Sequence, residues 1–257
     1  MRDRLCQDGD VGAHSEDWAM TAFNQGGVAD IEAGHSGAID RAQFGAVSSP
    51  QGFAVGGMIK RVLDVALAGV VLLIFAPLLL MVGLAIWLSD PGPILFGHER
   101  VGFNGRRFRC LKFRSMAIDG DRILADYLAR NSEAQAEWDA TRKLRCDPRV
   151  TRLGRVLREY SVDELPQIIN VLRGDMSFVG PRPVVAAELD RFGPQAALYM
   201  AARPGITGLW QVSGRSDTSY AERVALDSQY VACWSLWRDF VIVLRTIPAV
   251  IGARGSY

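Results

Sequence analysis

The sequence from Val65 to Leu88 reads VALAGVVLLIFAPLLLMVGLAIWL, a run of 24 uncharged residues with one proline, Pro77, near its middle. At about 1.5 Å of rise per residue, a helix of this length is roughly 36 Å long, enough to cross a hydrocarbon core of about 30 Å. The run begins too far from residue 1, and is too long, for an ordinary signal peptide. It predicts a segment that attaches the protein to a bilayer.

The proline and the charges around this run bear on its path through the bilayer. Pro77 lacks a backbone N–H and clashes with the preceding turn, so a bend or break is expected there. Basic residues flank the run on both sides: Lys60 and Arg61 before it, and Arg100, Arg106, Arg107, Arg109, Lys112 and Arg114 after it. Because basic flanks stay in the cytoplasm, both ends are expected on the same side. From the residues alone, a re-entrant helical hairpin bent at Pro77 and a kinked span remain open alternatives.

The net charge of the 257-residue chain, +1, conceals an uneven distribution. Residues 1–57 hold eight acidic and three basic residues, whereas the remainder holds 20 acidic and 26 basic residues. A basic body beside a membrane segment suits anionic lipid headgroups or a phosphorylated substrate. Nucleic acid is not an expected partner, since aromatic residues are not interleaved with the basic ones. The four cysteines and three histidines show no spacing typical of a zinc site.

Composition divides the chain into three parts. Residues 1–57, rich in Gly, Ala, Ser and Asp without periodicity, predict a disordered tail. Residues 58–93 hold the membrane helix and a rigid exit turn, Ser89 to Pro93. Residues 94–257 predict a cytosolic or interfacial domain, so that the whole fold is mainly α with a few short strands.

Periodicity and turn signals give the elements of this domain. Two short strands are expected around the Asn104-Gly105 turn, and Pro204 to Arg215 reads as a glycine-punctuated loop. Trp234 to Ile251 combines aromatic, basic and apolar residues, which fits a helix lying in the membrane interface or a core helix equally well. Other helices are expected over Asp121–Leu144, Ser161–Leu172, Val184–Ala202 with an interruption at Gly193-Pro194, and Ser219–Cys233, and a basic helix or turn is expected over Thr151–Glu159.

Adjacent carboxylates at Asp163 and Glu164 are the first candidates for chemistry. With Ser161 they fit a capping box at the start of a helix, which is a structural role. A carboxylate can instead attack phosphorus and form an acyl phosphate, while its neighbour holds a metal ion or transfers a proton. The residues alone leave both interpretations open.

Arginines that could bind phosphate lie on either side of this acidic pair. Arg158 precedes it in a basic segment, where solvation of a surface is the alternative role. In Pro181-Arg182-Pro183, two prolines fix the backbone on both sides of one arginine and so orient it in advance. The loop from Arg203 to Arg215 has three glycines that would allow a ligand to approach its backbone closely. In the same loop, Trp210 could stack on a base or sugar and Gln211 could bind polar edges.

These motifs, taken together, resemble those of the bacterial sugar transferases that start polysaccharide assembly, the monotopic phosphoglycosyl transferases. The resemblance extends from about Met58 to Tyr257, and so many matches in order are far more specific than any single motif. It implies a re-entrant membrane helix, which favours the hairpin. The matching segments are Lys60 to Asp64, Leu111 to Met116, Asp163 to Gln167, Asn170 to Ser177, Gly180 to Pro183 and Arg203 to Arg215.

The resemblance also implies a reaction and roles for individual residues. A nucleoside-diphosphate sugar would transfer its sugar phosphate to polyprenyl phosphate and release the nucleoside monophosphate. Asp163 would be the nucleophile of a covalent phosphosugar intermediate, Glu164 its partner, and Mg²⁺ would bridge Asp163 and the diphosphate. Asp239 matches another acidic position of the family, without an assigned role. Substrate or phosphate contacts are expected at Lys112, Arg114, Arg158, Arg182, Gln211 and Arg215, and the membrane bend at Pro77.

The short C-terminus resembles the subgroup that starts exopolysaccharide synthesis from UDP-glucose or UDP-galactose. The expected partners are therefore a UDP-hexose, polyprenyl (undecaprenyl) phosphate and an anionic bilayer, with a homo-oligomer left open. The expected location is a bacterial inner membrane, with the active site on the cytoplasmic face. The alternative function is a catalytically silent, membrane-attached scaffold of a polysaccharide assembly complex, but it leaves Asp163, Glu164 and Arg182 without a purpose.

Two segments depart from the family pattern. Many members have serine before the bend proline, whereas this chain has Ala76-Pro77, so that another group must bind the carbonyls freed at the bend. Residues 117–148 are longer than the same segment of the smallest members and have no assigned role.

Overall fold

The computed structural model describes residues 53–141, 144–213 and 218–251. Its longest element is helix α1, Gly57–Ser89, which has 33 residues and contains Pro77. Within these ranges α1 is the one helix that is long and apolar enough to cross a membrane, by length and composition. Many of its large apolar side chains are exposed, Leu73 to 79%. Such a surface is expected where a helix contacts lipid rather than protein.

Both halves of α1 also pack against the rest of the chain. In the first half, Ala68 belongs to a buried hydrophobic cluster that includes Cys110 and Ile168. In the second half, Val82 belongs to another buried cluster, which includes Phe113. The predicted membrane segment therefore contributes to the hydrophobic core as well as to the exposed apolar surface.

A β-hairpin follows the exit turn. Strands β1, Leu95–Val101, and β2, Arg107–Phe113, pair antiparallel, with Val101 opposite Arg107. Asn104 and Gly105 both have positive φ, 54° and 72°. Asn and Gly adopt this left-handed conformation most readily, which explains their use in tight hairpin turns. The predicted pair of strands around Asn104-Gly105 is confirmed.

The predicted helix over residues 121–144 is wrong in its continuity. Two helices occupy the region, α2 at Gly120–Arg130 and α3 at Ser132–Thr141. Asn131 separates them with an extended backbone, φ −136°. Its side-chain oxygen accepts a hydrogen bond from the N–H of Ala134 at 3.1 Å. Asparagine favours this local bond over the helical ladder, so it ends one helix and begins the next.

Helix α4, Arg152–Glu159, agrees closely with the predicted basic helix. Thr151 begins it, because its hydroxyl oxygen accepts a hydrogen bond from the N–H of Gly154 at 2.9 Å. The helix predicted from Ser161 starts later than expected. Val162–Glu164 form a 3₁₀ turn, and α5 comprises Gln167–Arg173.

Beyond α5, two three-residue strands form a parallel pair that the sequence did not predict. Strand β3 is Ser177–Val179, and β4, Gly205–Thr207, lies inside the segment predicted to be a loop. The remaining helices are α6 at Ala186–Leu189, α7 at Ala196–Met200, α8 at Leu209–Val212, α9 at Tyr220–Ala232 and α10 at Leu236–Ile251. A backbone break at Gly193, φ 54°, matches the predicted interruption between α6 and α7. The described fold is mainly α with a few short strands, as predicted.

The ion pair of Lys60 and Asp239 anchors the start of α1 to α10. The two groups are 2.5 Å apart and both are largely buried. Asp239 also accepts hydrogen bonds from the hydroxyl of Tyr230 at 2.7 Å and from the indole N–H of Trp234 at 3.1 Å. Each oxygen of this carboxylate therefore has a partner, which compensates for its burial. Asp239 of α10 thus connects the start of α1 with α9, which carries Tyr230, and with Trp234.

Two further side chains of the first α1 turns bind backbone groups. The guanidinium of Arg61 donates to the carbonyls of Val171 and Leu172 at the end of α5, at 2.5 and 2.9 Å. Asp64 accepts a hydrogen bond from the N–H of Phe178 in β3 at 3.1 Å. The motif from Lys60 to Asp64 is therefore a docking segment that fixes α1 to three elements of the body.

The predicted tail reaches a few residues into the packed part of the chain. Ala54 is buried, and the N–H of Val55 donates to the carbonyl of Ala201 at 3.0 Å. The packed part therefore begins before residue 58. Residues 1–52 of the predicted tail lie outside the described residues, and their disorder stays a prediction.

Asn170 joins the hairpin to α5. Its side chain is fully buried, and its amide oxygen accepts from the N–H of Leu111 at 2.9 Å. Its amide nitrogen donates to the carbonyl of Arg109 at 2.8 Å and to Asp175 at 3.2 Å. One side chain therefore pairs with both backbone groups that flank Cys110 in β2, as another strand would.

We expect Asn170→Ala to destabilise the protein by about 2 kcal/mol or more, because it leaves buried backbone groups of β2 without partners. For a domain of this size the loss lowers the melting temperature by roughly 4–8 °C, measured by thermal unfolding in detergent micelles. The control is Gln135→Ala, which removes an exposed amide bound only to Asp139 across one helical turn. Equal melting temperatures for the two variants would contradict this role of Asn170.

Candidate active site

The predicted acidic pair lies in the 3₁₀ turn between α4 and α5. Ser161, directly before it, has a positive φ of 55° and makes no side-chain cap bond. The capping-box interpretation is therefore wrong, and the N-cap position of α5 is Pro166. A non-glycine residue in the left-handed region costs conformational energy, and such residues concentrate at functional sites.

Lys112 of β2 reaches both carboxylates. Its ammonium nitrogen lies 2.5 Å from Oε1 of Glu164 and 4.0 Å from Oδ2 of Asp163. Lys112 directly follows Leu111, whose backbone N–H is held by Asn170, so its strand is fixed relative to α5. The predicted site residues Lys112, Asp163 and Glu164 are thus brought together from segments about fifty positions apart.

Arg158 contributes positive charge to the same site. Its Nε donates to the hydroxyl of Ser115 at 2.8 Å. Its charge also favours the ionised form of Asp163. Ser115 is buried, and its carbonyl accepts the N–H of Thr151 at 3.1 Å. Ser115 therefore holds the segment after β2 against α4, through the backbone of Thr151 and the side chain of Arg158.

Burial dominates the electrostatics of Asp163, which is only 8% exposed. The pKa of its carboxyl is raised from 3.8 to about 6, because burial and the neighbouring charge of Glu164 raise it by more than Lys112 and Arg158 lower it. Desolvation penalises the charged form, so two nearby cations offset only part of this cost. Near neutral pH the carboxylate is ionised but retains much more proton affinity than an exposed aspartate.

The sequence profile of the family described as "Bacterial sugar transferase" matches residues 55–253. The chain belongs to the bacterial sugar transferase family. It is 55% identical over 203 residues to the exopolysaccharide production protein ExoY of Rhizobium meliloti, which covers 79% of this chain and 90% of the relative.

Two further relatives of this sugar transferase have names that state a reaction. The UDP-glucose:undecaprenyl-phosphate glucose-1-phosphate transferase of Caulobacter vibrioides is 47% identical over 208 residues, 77% of this chain and 72% of the relative. The undecaprenyl-phosphate galactose phosphotransferase of Salmonella typhimurium is 46% identical over 199 residues, 77% of this chain and 42% of the relative.

Three other predicted contact residues of the sugar transferase are engaged elsewhere or lie outside the description. The guanidinium of Arg114 donates to the carbonyl of Asp90 and pairs with its carboxylate at 3.6 Å, which fixes the exit turn of α1. The amide nitrogen of Gln211 donates to the carbonyl of Ile206 at 3.3 Å. Arg215 lies outside the described residues. The substrate contacts expected at these three positions stay predictions.

The described glycines of the Arg203 to Arg215 loop approach backbone rather than open space, so the expectation of a ligand at these two positions is corrected. A Cβ on Gly205 would lie 2.1 Å from the nitrogen of Gly180, and one on Gly208 would lie 2.2 Å from the oxygen of Gly180. These glycines allow the loop to pack against the turn that carries Arg182. Gly214 lies outside the described residues.

Trp210 is also unavailable for the stacking role that the sequence suggested. It is only 5% exposed. The guanidinium carbon of Arg182 lies 5.2 Å from its ring centre, and that of Arg223 lies 4.3 Å from it. Neither Arg223 nor Asn170 was a predicted site residue. Asn170 lies within a matching motif, whereas nothing in the sequence separates Arg223 from other surface arginines.

The acidic pair has suitable donors for magnesium. Mg²⁺ in proteins is commonly held by one or two carboxylates together with phosphate oxygens of a substrate and water. Asp163 and Glu164 supply two carboxylates on neighbouring residues. Among residues 53–141, 144–213 and 218–251, no group of three or more His, Cys, Asp or Glu side chains forms a closed metal site. The residues present therefore fit a metal shared with a substrate.

We expect Asp163→Asn to stabilise the protein at pH 7.5, because it removes a buried charge. A carboxyl whose pKa is raised on folding loses stability as pH rises from about 4 to about 6, by up to roughly 3 kcal/mol. The melting temperature of the variant should exceed that of the native protein by several degrees at pH 7.5, and the difference should fall to roughly a third at pH 4.5.

The matched control for this measurement is Asp126→Asn, a change at an exposed aspartate of α2. It should leave the melting temperature unchanged at both pH values. A variant at Asp163 that melts below the native protein at pH 7.5 would contradict the electrostatic account.

Proposed function

We propose that this sugar transferase transfers hexose 1-phosphate from a UDP-hexose to polyprenyl phosphate and releases UMP, as the first membrane step of exopolysaccharide synthesis. The names of the relatives supply the reaction class, and they include both a glucose and a galactose transferase. The observation that carries the proposal is the buried carboxylate of Asp163, with Lys112 and Arg158 beside it. Glucose and galactose are the proposed sugars.

The proposed chemistry has two displacements at one phosphorus. A carboxylate oxygen of Asp163 bonds to the phosphorus that carries the hexose, and the bond from that phosphorus to UMP breaks with its electron pair leaving on UMP. An oxygen of polyprenyl phosphate then bonds to the same phosphorus, and the acyl-phosphate bond breaks, which restores the carboxylate. The balance needs no other reactant.

The surroundings of Asp163 suit a nucleophile. A carboxylate with a raised pKa is more basic and less solvated than an exposed one, yet it is largely ionised above pH 6. Repulsion between it and an anionic diphosphate is offset by Lys112 and Arg158. Glu164, held by Lys112 at 2.5 Å, is placed to keep that ammonium within reach of Asp163.

Magnesium is proposed as the cofactor, held by Asp163 and by phosphate oxygens of the donor. When bound it would neutralise charge on the diphosphate and on the departing UMP. The protein contributes the carboxylate and the basic side chains that set the charge of this site. A catalytically silent scaffold gains no support from the site, because a scaffold does not need a buried carboxylate compensated by two cations.

The membrane arrangement that we propose is the re-entrant hairpin, with both ends of α1 on the cytoplasmic face. In a straight helix, Ala68 and Val82 would be about 21 Å apart. The clusters that they join contain Cys110 and Phe113, which are about 10 Å apart along one strand. A bend near Pro77 brings the two halves back to one body and explains these contacts.

Helix α10 supports attachment at the same interface. Trp237, Phe240, Leu244 and Ile247 follow one exposed face at intervals of three or four residues, and Trp237 is 70% exposed. On the opposite face Ile242 is buried in the core. The sequence alternatives of a core helix and an interfacial helix therefore fit two faces of one element.

We expect Asp163→Asn to abolish UMP release from UDP-glucose and UDP-galactose, because an amide cannot form the acyl phosphate. Intact-mass spectrometry of the native protein with UDP-hexose and Mg²⁺, without lipid, should show an adduct of one hexose phosphate that the variant lacks. Chelation by EDTA should prevent UMP release, and added Mg²⁺ should restore it.

The Asp126→Asn variant again serves as the control, and it should retain native UMP release. Native turnover by Asp163→Asn would refute the nucleophile. Binding of UDP-hexose by the native protein without UMP release, with polyprenyl phosphate present, would favour the scaffold instead.

Single cysteines at Met58 and Arg107, two exposed positions that flank α1, test the hairpin. In a background without the four native cysteines, each introduced cysteine should react with an impermeant maleimide in inside-out vesicles. Neither should react in intact spheroplasts. Labelling of the two positions from opposite sides of the membrane would establish a span and overturn the hairpin.

A further inference from the structure

The buried indole of Trp210 is in contact with two guanidinium groups that come from distant parts of the chain. Arg182 belongs to the turn after β3, and Arg223 belongs to α9. Their guanidinium carbons lie 5.2 and 4.3 Å from the ring centre. A guanidinium held against an aromatic face loses side-chain freedom but keeps N–H groups for a further partner. Trp210 thus acts as a shared platform that brings two cations together.

The cluster has more positive than negative groups. Burial and the nearby charge of Arg182 lower the pKa of the Arg223 guanidinium, whereas Glu188 and Asp227 raise it. Glu188 is shared, because it also pairs with Arg100 at 3.9 Å. Three guanidiniums therefore face two carboxylates in this region. Like charges held together in this way favour an anionic ligand, whose binding removes the repulsion.

Asp227 of α9 supports the cluster from inside the protein. It is only 2% exposed, and its Oδ2 accepts a hydrogen bond from the backbone N–H of Arg182 at 3.3 Å. Since Pro181 and Pro183 have no N–H, this is the one backbone donor of the three-residue turn. Oδ1 has no hydrogen-bond partner among the described residues. Burial raises the pKa of the Asp227 carboxyl to about 7, and in either protonation state this buried group holds the turn that orients Arg182.

Two buried donors of the same cluster also lack an acceptor. The indole N–H of Trp210 and the Nε–H of Arg223 have no hydrogen-bond partner within the described ranges. A buried donor without an acceptor costs about 1–3 kcal/mol, so such groups are rare and each needs a reason, such as a water, an ion or a ligand that completes it. Phosphate oxygens are strong acceptors for donors of this kind.

The thiol of Cys110 relates this cluster to the acidic pair. Burial raises the pKa of Cys110 to about 11, and charges from both places act on it: Glu164 raises the value, while Arg182 lowers it. The cluster and the acidic pair are therefore within electrostatic range of one buried group on β2.

We propose that Arg182 and Arg223 form a two-guanidinium clamp for the phosphate groups of a substrate, with Trp210 as its platform and Asp227 as its positioning residue. The new members are Arg223 and Asp227. The inference deepens the proposed function and rests on it for the identity of the substrates. The phosphates belong to the UDP-hexose or to polyprenyl phosphate, and kinetic measurements distinguish these two substrates.

Arg223→Met is the first test, with Arg191→Met as its matched control. Arg191 is an exposed arginine that stacks on another ring, that of Tyr220 at 4.1 Å. The Arg223 change should raise the KM of one phosphate substrate at least tenfold and alter kcat less than threefold, whereas the control should change neither. Arg223→Lys should be intermediate, since it keeps the charge but loses the planar fork.

The half-reaction identifies which substrate the clamp holds. A donor clamp predicts slower formation of the hexose-phosphate adduct at low UDP-hexose without lipid. An acceptor clamp predicts native adduct formation and a raised KM for polyprenyl phosphate. The clamp would be overturned if a folded Arg223→Met variant had native KM values for both substrates. If the Met variant does not fold, native KM values in Arg223→Lys would overturn it.

Two variants of Asp227 test its positioning role. Asp227→Ala should raise the same KM as Arg223→Met does, because the Arg182 turn loses its anchor. Asp227→Asn should restore a near-native KM, since an amide oxygen still accepts the Arg182 N–H. Equal KM values for the alanine and native proteins would exclude this role.

Calorimetric titration with UDP separates failure of the clamp from failure of the proposed function. A native protein that binds UDP at least tenfold more tightly than Arg223→Met, but releases no UMP, would refute the reaction and retain a donor clamp. If the half-reaction assigns the clamp to the donor, equal UDP affinities of the native protein and Arg223→Met would refute the clamp. This holds even if the protein releases UMP as proposed.

Discussion

Burying a carboxylate costs free energy unless nearby cations and hydrogen bonds compensate for the lost water, and Asp163 is buried with only partial compensation. The cations beside it come from different elements, Lys112 from β2 and Arg158 from α4. Their positions must be fixed for the balance to hold. Asn170 fixes β2 against α5, and Ser115 binds both Arg158 and the start of α4. Much of the fold around the site can be understood as support for this one charge.

The charged residues at the start of the long apolar helix α1 are compensated in the same way. The first turns of α1 carry Lys60, Arg61 and Asp64, and each is neutralised or hydrogen-bonded by the body. The resemblance left Asp239 without a role, and the structure gives it one as the common acceptor for Lys60, Tyr230 and Trp234. At the other end, Arg114 holds the exit turn at Asp90. Basic residues that flank the apolar run therefore have structural partners in the body, which their charge pattern alone does not reveal.

Features set by local chemistry could be predicted from the sequence. Asn104-Gly105 gave the hairpin, Thr151 gave the start of α4, and the apolar run gave α1. The pairing of β3 with β4 could not be predicted, because three-residue strands carry no periodic signal and their contact depends on the backbones of Gly180 and Gly205. The start of α5 was misplaced, since a capping-box pattern does not reveal the left-handed backbone of Ser161.

The candidate site shows a similar division. The resemblance identified Lys112, Arg158, Asp163 and Glu164, and the structure brings these together. The resemblance could not show that Trp210 is covered by two arginines, or that Arg114 binds the exit turn, because such contacts join residues far apart in sequence. Long side chains with several donors have many suitable partners, and only tertiary structure selects among them.

Because α1 supplies Ala68 to one buried cluster and Val82 and Ile86 to another, it is part of the hydrophobic interior. A truncation that started at residue 90 would expose the apolar surfaces around Ile168 and Phe113 and remove Lys60, the cationic partner of Asp239. A water-soluble fragment with the native site is therefore not available by simple deletion of the apolar segment. Solubilisation has to shield the outer face of α1 while leaving its inner face in place.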